Sequence, residues 1–133
     1  MIKYALEGSD FIHYLFVGLA GALGASLRYA IGLLFDSAFP IATLLINLVG
    51  ALLLGWLTSF LPRFPRISST ISTAITTGFL GAFTTFSAFS VENLTLLMNG
   101  QVFAALSYIL VSLVGGFICA LVGLRLGAKE DGL

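Results

Sequence analysis

Four stretches of the chain are predominantly apolar over a length that can cross a bilayer, which takes about 20 residues of helix. They cover residues 12–35, 40–61, 67–95 and 102–126. The first is interrupted by a single charge, Arg28. The second is bounded by Asp36 and by the run Leu61-Pro62-Arg63-Phe64-Pro65-Arg66. The turn signal Met98-Asn99-Gly100-Gln101 opens the way to the fourth, and no charged residue falls between Glu92 and Arg125. Connections this short predict one compact all-α membrane domain of four transmembrane helices, with no soluble domain, repeat or low-complexity tract.

The third stretch differs from the others in its polarity. It carries hydroxyls at Ser68, Ser69, Thr70, Ser72, Thr73, Thr76, Thr77, Thr84, Thr85, Ser87 and Ser90, and glycines at 78 and 81 ahead of the β-branched pair Thr84-Thr85. Such a composition is poor for an uninterrupted helix, and a break is expected near residues 81–85. Backbone released from a helix inside a membrane must be buried in protein or line a wet cavity, and broken helices at the midplane form ion sites in transporters. The other arrangement is a continuous helix whose hydroxyls bond back to the preceding turn. Small residues recur at helix-packing intervals elsewhere, as in Ala20 with Gly24, Gly21 with Ala25, and Gly123 with Gly127.

Composition supports a lipid-solvated surface. Of 133 residues, 59% are hydrophobic and 9% charged, against about 25% charged in soluble domains. The mean hydropathy is +1.08. A net charge of zero supplies no basic field for nucleic acid. The first ten residues carry Lys3, Glu7 and Asp10, unlike the positive start of a cleavable signal peptide. The single cysteine, Cys119, sits in an apolar stretch and reads as a small buried hydrophobe. With four spans, Lys3, Arg63, Arg66, Arg125 and Lys129 fall on one side of the membrane, facing Asp36, Glu92 and at most Arg28 on the other. The positive-inside rule then puts both termini in the cytoplasm.

Candidate chemistry is sparse. There is no carboxylate pair, nucleotide loop or metal cluster, and no enzyme is expected. The only histidine, His13, lies at a membrane edge beside Tyr14 and reads as an interfacial anchor. Arg28 needs an explanation, because an arginine near a helix centre costs about 2.5–3.5 kcal/mol to insert. It either snorkels to the interface or faces a vestibule, where its charge would concentrate anions. Asn47 lies four residues after Thr43 on one helix face, either as interhelical glue or as a donor to a desolvated anion. Phe86 and Phe89 share a face and flank Ser87. They are either core packing or rings whose positive edges contact an anion. Tyr108 and Ser112 also share a face, so Thr43, Asn47, Ser87, Tyr108 and Ser112 can form a polar seam across apolar helices.

Three segments resemble the small fluoride channels of the Fluc, or CrcB, family. Gly21-Ala22-Leu23-Gly24-Ala25-Ser26-Leu27-Arg28-Tyr29 is similar to its G-x-x-G-A-x-x-R-Y segment. Ala42-Thr43-Leu44-Leu45-Ile46-Asn47-Leu48-Val49-Gly50 is similar to G-T-L-x-x-N-x-x-G, with alanine at the first glycine. Gly78-Phe79-Leu80-Gly81-Ala82-Phe83-Thr84-Thr85-Phe86-Ser87-Ala88-Phe89 resembles G-F-x-G-G-x-T-T-F-S-T-F. The resemblance implies an antiparallel, dual-topology dimer in a prokaryotic-type cell membrane, with two fluoride pathways between the subunits. It implies Phe86 and Phe89 as pore aromatics, Asn47 as the pore amide, Tyr108 and Ser112 as part of a polar track, with Gly116 where some members carry a further serine, and Arg28 as the vestibule arginine. It places Glu92 as an acidic residue just beyond the aromatic motif. It further implies that backbone carbonyls of Gly81 and Thr84 hold a central sodium ion. The charge bias between the two sides departs from a dual-topology homodimer and suggests an oppositely oriented paralogue as partner. Two other readings stay open at this point: a small multidrug-type transporter, which would need a membrane-embedded carboxylate, and a non-transporting accessory subunit.

Overall fold

The computed structural model describes residues 8–35 and 39–128 of the chain. Among these residues the secondary structure is helical throughout. The elements are α1 (Gly8–Gly32), α2 (Ile41–Phe60), a 3₁₀ turn (Leu61–Arg63), α3 (Ser69–Thr73), a π-helical stretch (Ala74–Leu80), α4 (Gly81–Phe83), α5 (Phe86–Met98) and α6 (Val102–Ala128). Four helical runs are long and apolar enough to cross a membrane: Asp10–Gly32, Ile41–Arg63, Ser69–Met98 and Val102–Ala128.

Local chemistry sets the ends. Pro40 stands at the N-cap of α2, where a missing N–H removes no helical bond. Ser68 caps α3, its hydroxyl accepting from the Ile71 N–H at 3.3 Å. Thr85 caps α5, accepting from the Ala88 N–H at 3.2 Å. Gly100, with a φ of 74°, turns α5 into α6.

The third span combines both arrangements open to it. Hydroxyls bond back one turn, from Thr76 to the Ser72 carbonyl at 2.8 Å, Thr84 to Leu80 at 3.0 Å and Ser90 to Phe86 at 2.9 Å. The chain nevertheless leaves the helix at Thr84 and Thr85, which are both extended.

Helix directions follow from which residues meet. His13 bonds Thr70 at 3.2 Å and Arg28 reaches Ala82, so α1 runs parallel to the third span. Gly115 lies against Leu48, Gly123 against Leu52 and Gly127 against Trp56, so α6 runs parallel to α2. Thr43 meets Glu92 and Gly50 meets Thr84, so α2 is antiparallel to the third span. Lipid tails offer little hydrophobic drive for association, and close packing replaces it. A Cβ at Gly24 would strike the Phe79 backbone, and one at Gly123 the Leu52 backbone. Two apolar clusters fill the interior, one around Ile46, Leu80 and Phe83, the other around Leu96, Ala105 and Tyr108.

The parallel course of α2 and α6 gathers Arg63 and Arg66, which follow α2, at the same end as Arg125. Lys3, Asp36 and Lys129 of the charge reading lie outside the described residues. Cys119 is half-buried rather than enclosed. His13 is more than an anchor, since its ring ties α1 to α3 while standing edge-on to Tyr14 at 5.9 Å.

Candidate functional site at the break in the third span

Several backbone groups around the break have identifiable partners. The Thr84 N–H still reaches the Leu80 carbonyl at 3.0 Å. A continuing helix would next pair the Thr85 N–H with the Gly81 carbonyl. Instead the Thr85 N–H donates to Asn47 Oδ1 at 2.8 Å, and Asn47 Nδ2 donates to the Thr85 carbonyl at 2.9 Å. Arg28 Nε donates to the Ala82 carbonyl at 3.2 Å. The Ala88 N–H, the helical partner of the Thr84 carbonyl, goes to the Thr85 hydroxyl. The carbonyls of Gly81 and Thr84 have thus both lost their helical donors, while those of Ala82 and Thr85 are held by side chains. Freed carbonyl oxygens of this kind suit a hard, weakly charged cation such as sodium.

A cavity of about 400 Å³ opens beside the break and is lined by Asn47, Gly81, Thr84, Thr85, Phe86, Phe89 and Ser112. The Phe86 and Phe89 rings are 5.9 Å apart and tilted by 33°. Phe89 leans on Tyr108 at 5.0 Å, whereas Phe86 is 79% exposed on the chain's flank. The Ser112 hydroxyl is buried with no protein partner. The Ser87 hydroxyl sits 3.2 Å from that of Thr85. The cavity therefore collects Asn47, Phe86, Phe89, Ser112 and the Gly81–Thr84 backbone from three separate stretches of sequence.

Thr43 and Tyr108 serve a different centre. Glu92 accepts from the Thr43 hydroxyl at 2.6 Å through one carboxylate oxygen and from the Tyr108 hydroxyl at 2.7 Å through the other. Both donors are buried, Tyr108 completely. The polar seam read from the sequence thus divides: Asn47 and Ser112 face the cavity, while Thr43 and Tyr108 hold a carboxylate. Glu92 lies in the middle of α5, inside the bundle. A signal for this was present in the turn. Glu92 and Tyr108 stand eight residues to either side of Gly100, and an antiparallel helical hairpin sets such positions opposite each other.

Arg28 lies about 6 Å from the end of α1, at 1.5 Å per residue. It lines a second cavity of about 250 Å³ with Tyr29, Thr43, Thr85 and Ala88. Its Nε is committed to the Ala82 carbonyl, which anchors the side chain while the other guanidinium N–H groups remain available to that cavity.

The sequence matches the family model described as "CrcB-like protein, Camphor Resistance (CrcB)" over residues 15–124. The chain belongs to the CrcB family. A CrcB relative from Listeria innocua, named "Fluoride-specific ion channel FluC 2", is 50% identical over 119 residues, covering 89% of this chain and 92% of its own length. One from Desulfitobacterium hafniense, "Fluoride-specific ion channel FluC 1", is 52% identical over 109 residues, 80% of this chain and 95% of its own. A Bacillus cereus relative, also "Fluoride-specific ion channel FluC 1", is 45% identical over 118 residues, 86% of this chain and 82% of its own. With four membrane-capable helices, this CrcB chain is a multi-pass protein of the cell membrane.

Proposed function

We propose that the chain forms a passive, fluoride-specific channel that lets cytoplasmic fluoride leave down its gradient. The observation that carries this reading is the cavity at the break, where an amide, a buried unpartnered hydroxyl and two phenyl rings converge in a chain half identical to named fluoride channels. Fluoride is small and strongly hydrated, so a dry path must replace its water with donors. Asn47 Nδ2 carries a second hydrogen beyond the one given to Thr85. Ser112 can turn its O–H toward an ion, and the ring edges of Phe86 and Phe89 offer weak positive contacts. Weak contacts matter, because a conducting site must also release.

The working unit in this proposal is an antiparallel dimer, of the chain with itself or with an oppositely oriented paralogue. The outward exposure of Phe86 and the openness of the cavity along one flank support it, since a second chain would close the path. A sodium ion held by the freed Gly81 and Thr84 carbonyls of both chains would supply fixed positive charge beside the pathway. Arg28 and the cavity it lines would add to the attraction for anions.

The test is fluoride efflux from proteoliposomes, read with a fluoride-selective electrode and with chloride as the control. Vesicles that retain fluoride would refute the reading. One observation favours a second reading: Glu92 is a carboxylate within the bundle, as proton-coupled multidrug-type transport requires. Efflux indifferent to an imposed pH gradient removes that reading.

A further inference from the structure

We propose that Arg28 is a positioning residue for the cation site, acting through its hydrogen bond to the Ala82 carbonyl. The inference rests on the cation reading given above and extends it to a side chain outside the carbonyl set.

The argument begins with α1. A Cβ at Gly21 would lie 3.5 Å from the Gly78 carbonyl oxygen and 3.8 Å from the Ala82 Cβ, and one at Gly24 would strike the Phe79 backbone. This face of α1 is therefore seated directly on the π-helical stretch and α4. Arg28 is the next residue along it, one turn beyond Gly24. Its guanidinium arrives at α4 from a direction set by backbone packing. Nε then takes the Ala82 carbonyl at 3.2 Å.

That carbonyl lies between the two freed ones. Successive residues of a helix are turned by about 100°, so a carbonyl drawn toward α1 constrains where its neighbours point. The α4 turn closes the helical run that begins at Ser69, and because Thr84 is extended no following turn holds the Ala82 carbonyl in this orientation. Asn47 secures the break from the α2 side and Arg28 from the α1 side.

A purely electrostatic Arg28 makes the opposite prediction. A positive charge beside a cation repels it, so neutralising Arg28 would strengthen sodium binding. Loss of positioning would weaken it. The variant Arg28→Gln separates the two, because glutamine Nε2 occupies the same place along the side chain as arginine Nε and can donate to Ala82 without a charge. Arg28→Met removes charge and donor together.

The experiment measures the unfolding temperature of the purified full-length protein against sodium concentration, with N-methyl-D-glucamine as the replacement ion. Arg28→Met is expected to raise the half-maximal sodium concentration about tenfold, the effect of one lost hydrogen bond. Arg28→Gln is expected to stay within about threefold of the parent. A role confined to folding would lower the unfolding temperature equally with and without sodium. Should Arg28→Met fail to fold, Arg28→Ser, too short to reach Ala82, takes its place. An unchanged or lowered sodium midpoint in these variants, or an Arg28→Gln protein as impaired as Arg28→Met, overturns the inference alone. A parent protein indifferent to sodium overturns the cation reading and the inference with it, whatever its fluoride efflux.

Discussion

Replacing Asn47 with aspartate exchanges one N–H donor pair for oxygen and adds a charge, and the structure allows the two effects to be weighed. The Thr85 N–H keeps its acceptor, because the bond to Asn47 Oδ1 at 2.8 Å survives as a bond to a carboxylate oxygen. The Thr85 carbonyl loses its donor at 2.9 Å and faces a second oxygen instead. An unsatisfied buried carbonyl costs about 1–3 kcal/mol, which lowers stability without unfolding a typical domain. The charge acts on the pathway itself. At ~4 Å and an effective dielectric near 20, two unit charges interact by about 4 kcal/mol. As a barrier to an anion, that slows passage on the order of a thousandfold. The electrostatic effect wins, so Asn47→Asp should yield a folded protein with a modestly lowered melting temperature and fluoride efflux near the empty-vesicle background. Efflux within tenfold of the parent, from protein of normal melting behaviour, would show that this amide does not face the ion.

Phe86→Ile should abolish fluoride efflux with little loss of stability in the single chain, because a side chain 79% exposed has few contacts to lose; unchanged efflux would take the ring out of the pathway. Thr43→Val keeps the shape but leaves one Glu92 oxygen without its donor at 2.6 Å, so a loss of about 1.5–3 kcal/mol is expected in thermal or denaturant unfolding. Gly24→Ala drives a methyl into the Phe79 backbone, which cannot turn aside as a side chain would; about 1–3 kcal/mol should be lost. Gly116→Ser is the contrast, since a Cβ there meets nothing within 4 Å, and its melting temperature should match the parent's.

Much of the architecture was legible because membrane spans are written in long, one-dimensional runs. Four apolar stretches led to four membrane-capable helices, and the density of hydroxyls and glycines in the third marked where the helix gives way. Partner choice was far less legible. Periodicity placed Thr43 beside Asn47 and Tyr108 beside Ser112, yet Thr43 and Tyr108 turn to Glu92 while Asn47 and Ser112 line the cavity. It carried no information on what stands across from each face. Glu92 draws Thr43 and Tyr108 to itself from two other helices, and only the hairpin symmetry about Gly100 hinted at half of that. The bond from Arg28 to Ala82 depends on how closely α1 settles at Gly24, a distance that no run of residues encodes.

The break is satisfied sideways, by Asn47 from α2 and Arg28 from α1, and this has a consequence for how the protein is made. A span whose peptide groups depend on its neighbours is a poor passenger in lipid by itself. The helices that supply those partners precede it in the chain, so a ribosome working from the N-terminus delivers the clasp before the segment it must receive. Moving the third span ahead of the first two by circular permutation would reverse that order, and biogenesis would suffer even where the finished contacts were the same.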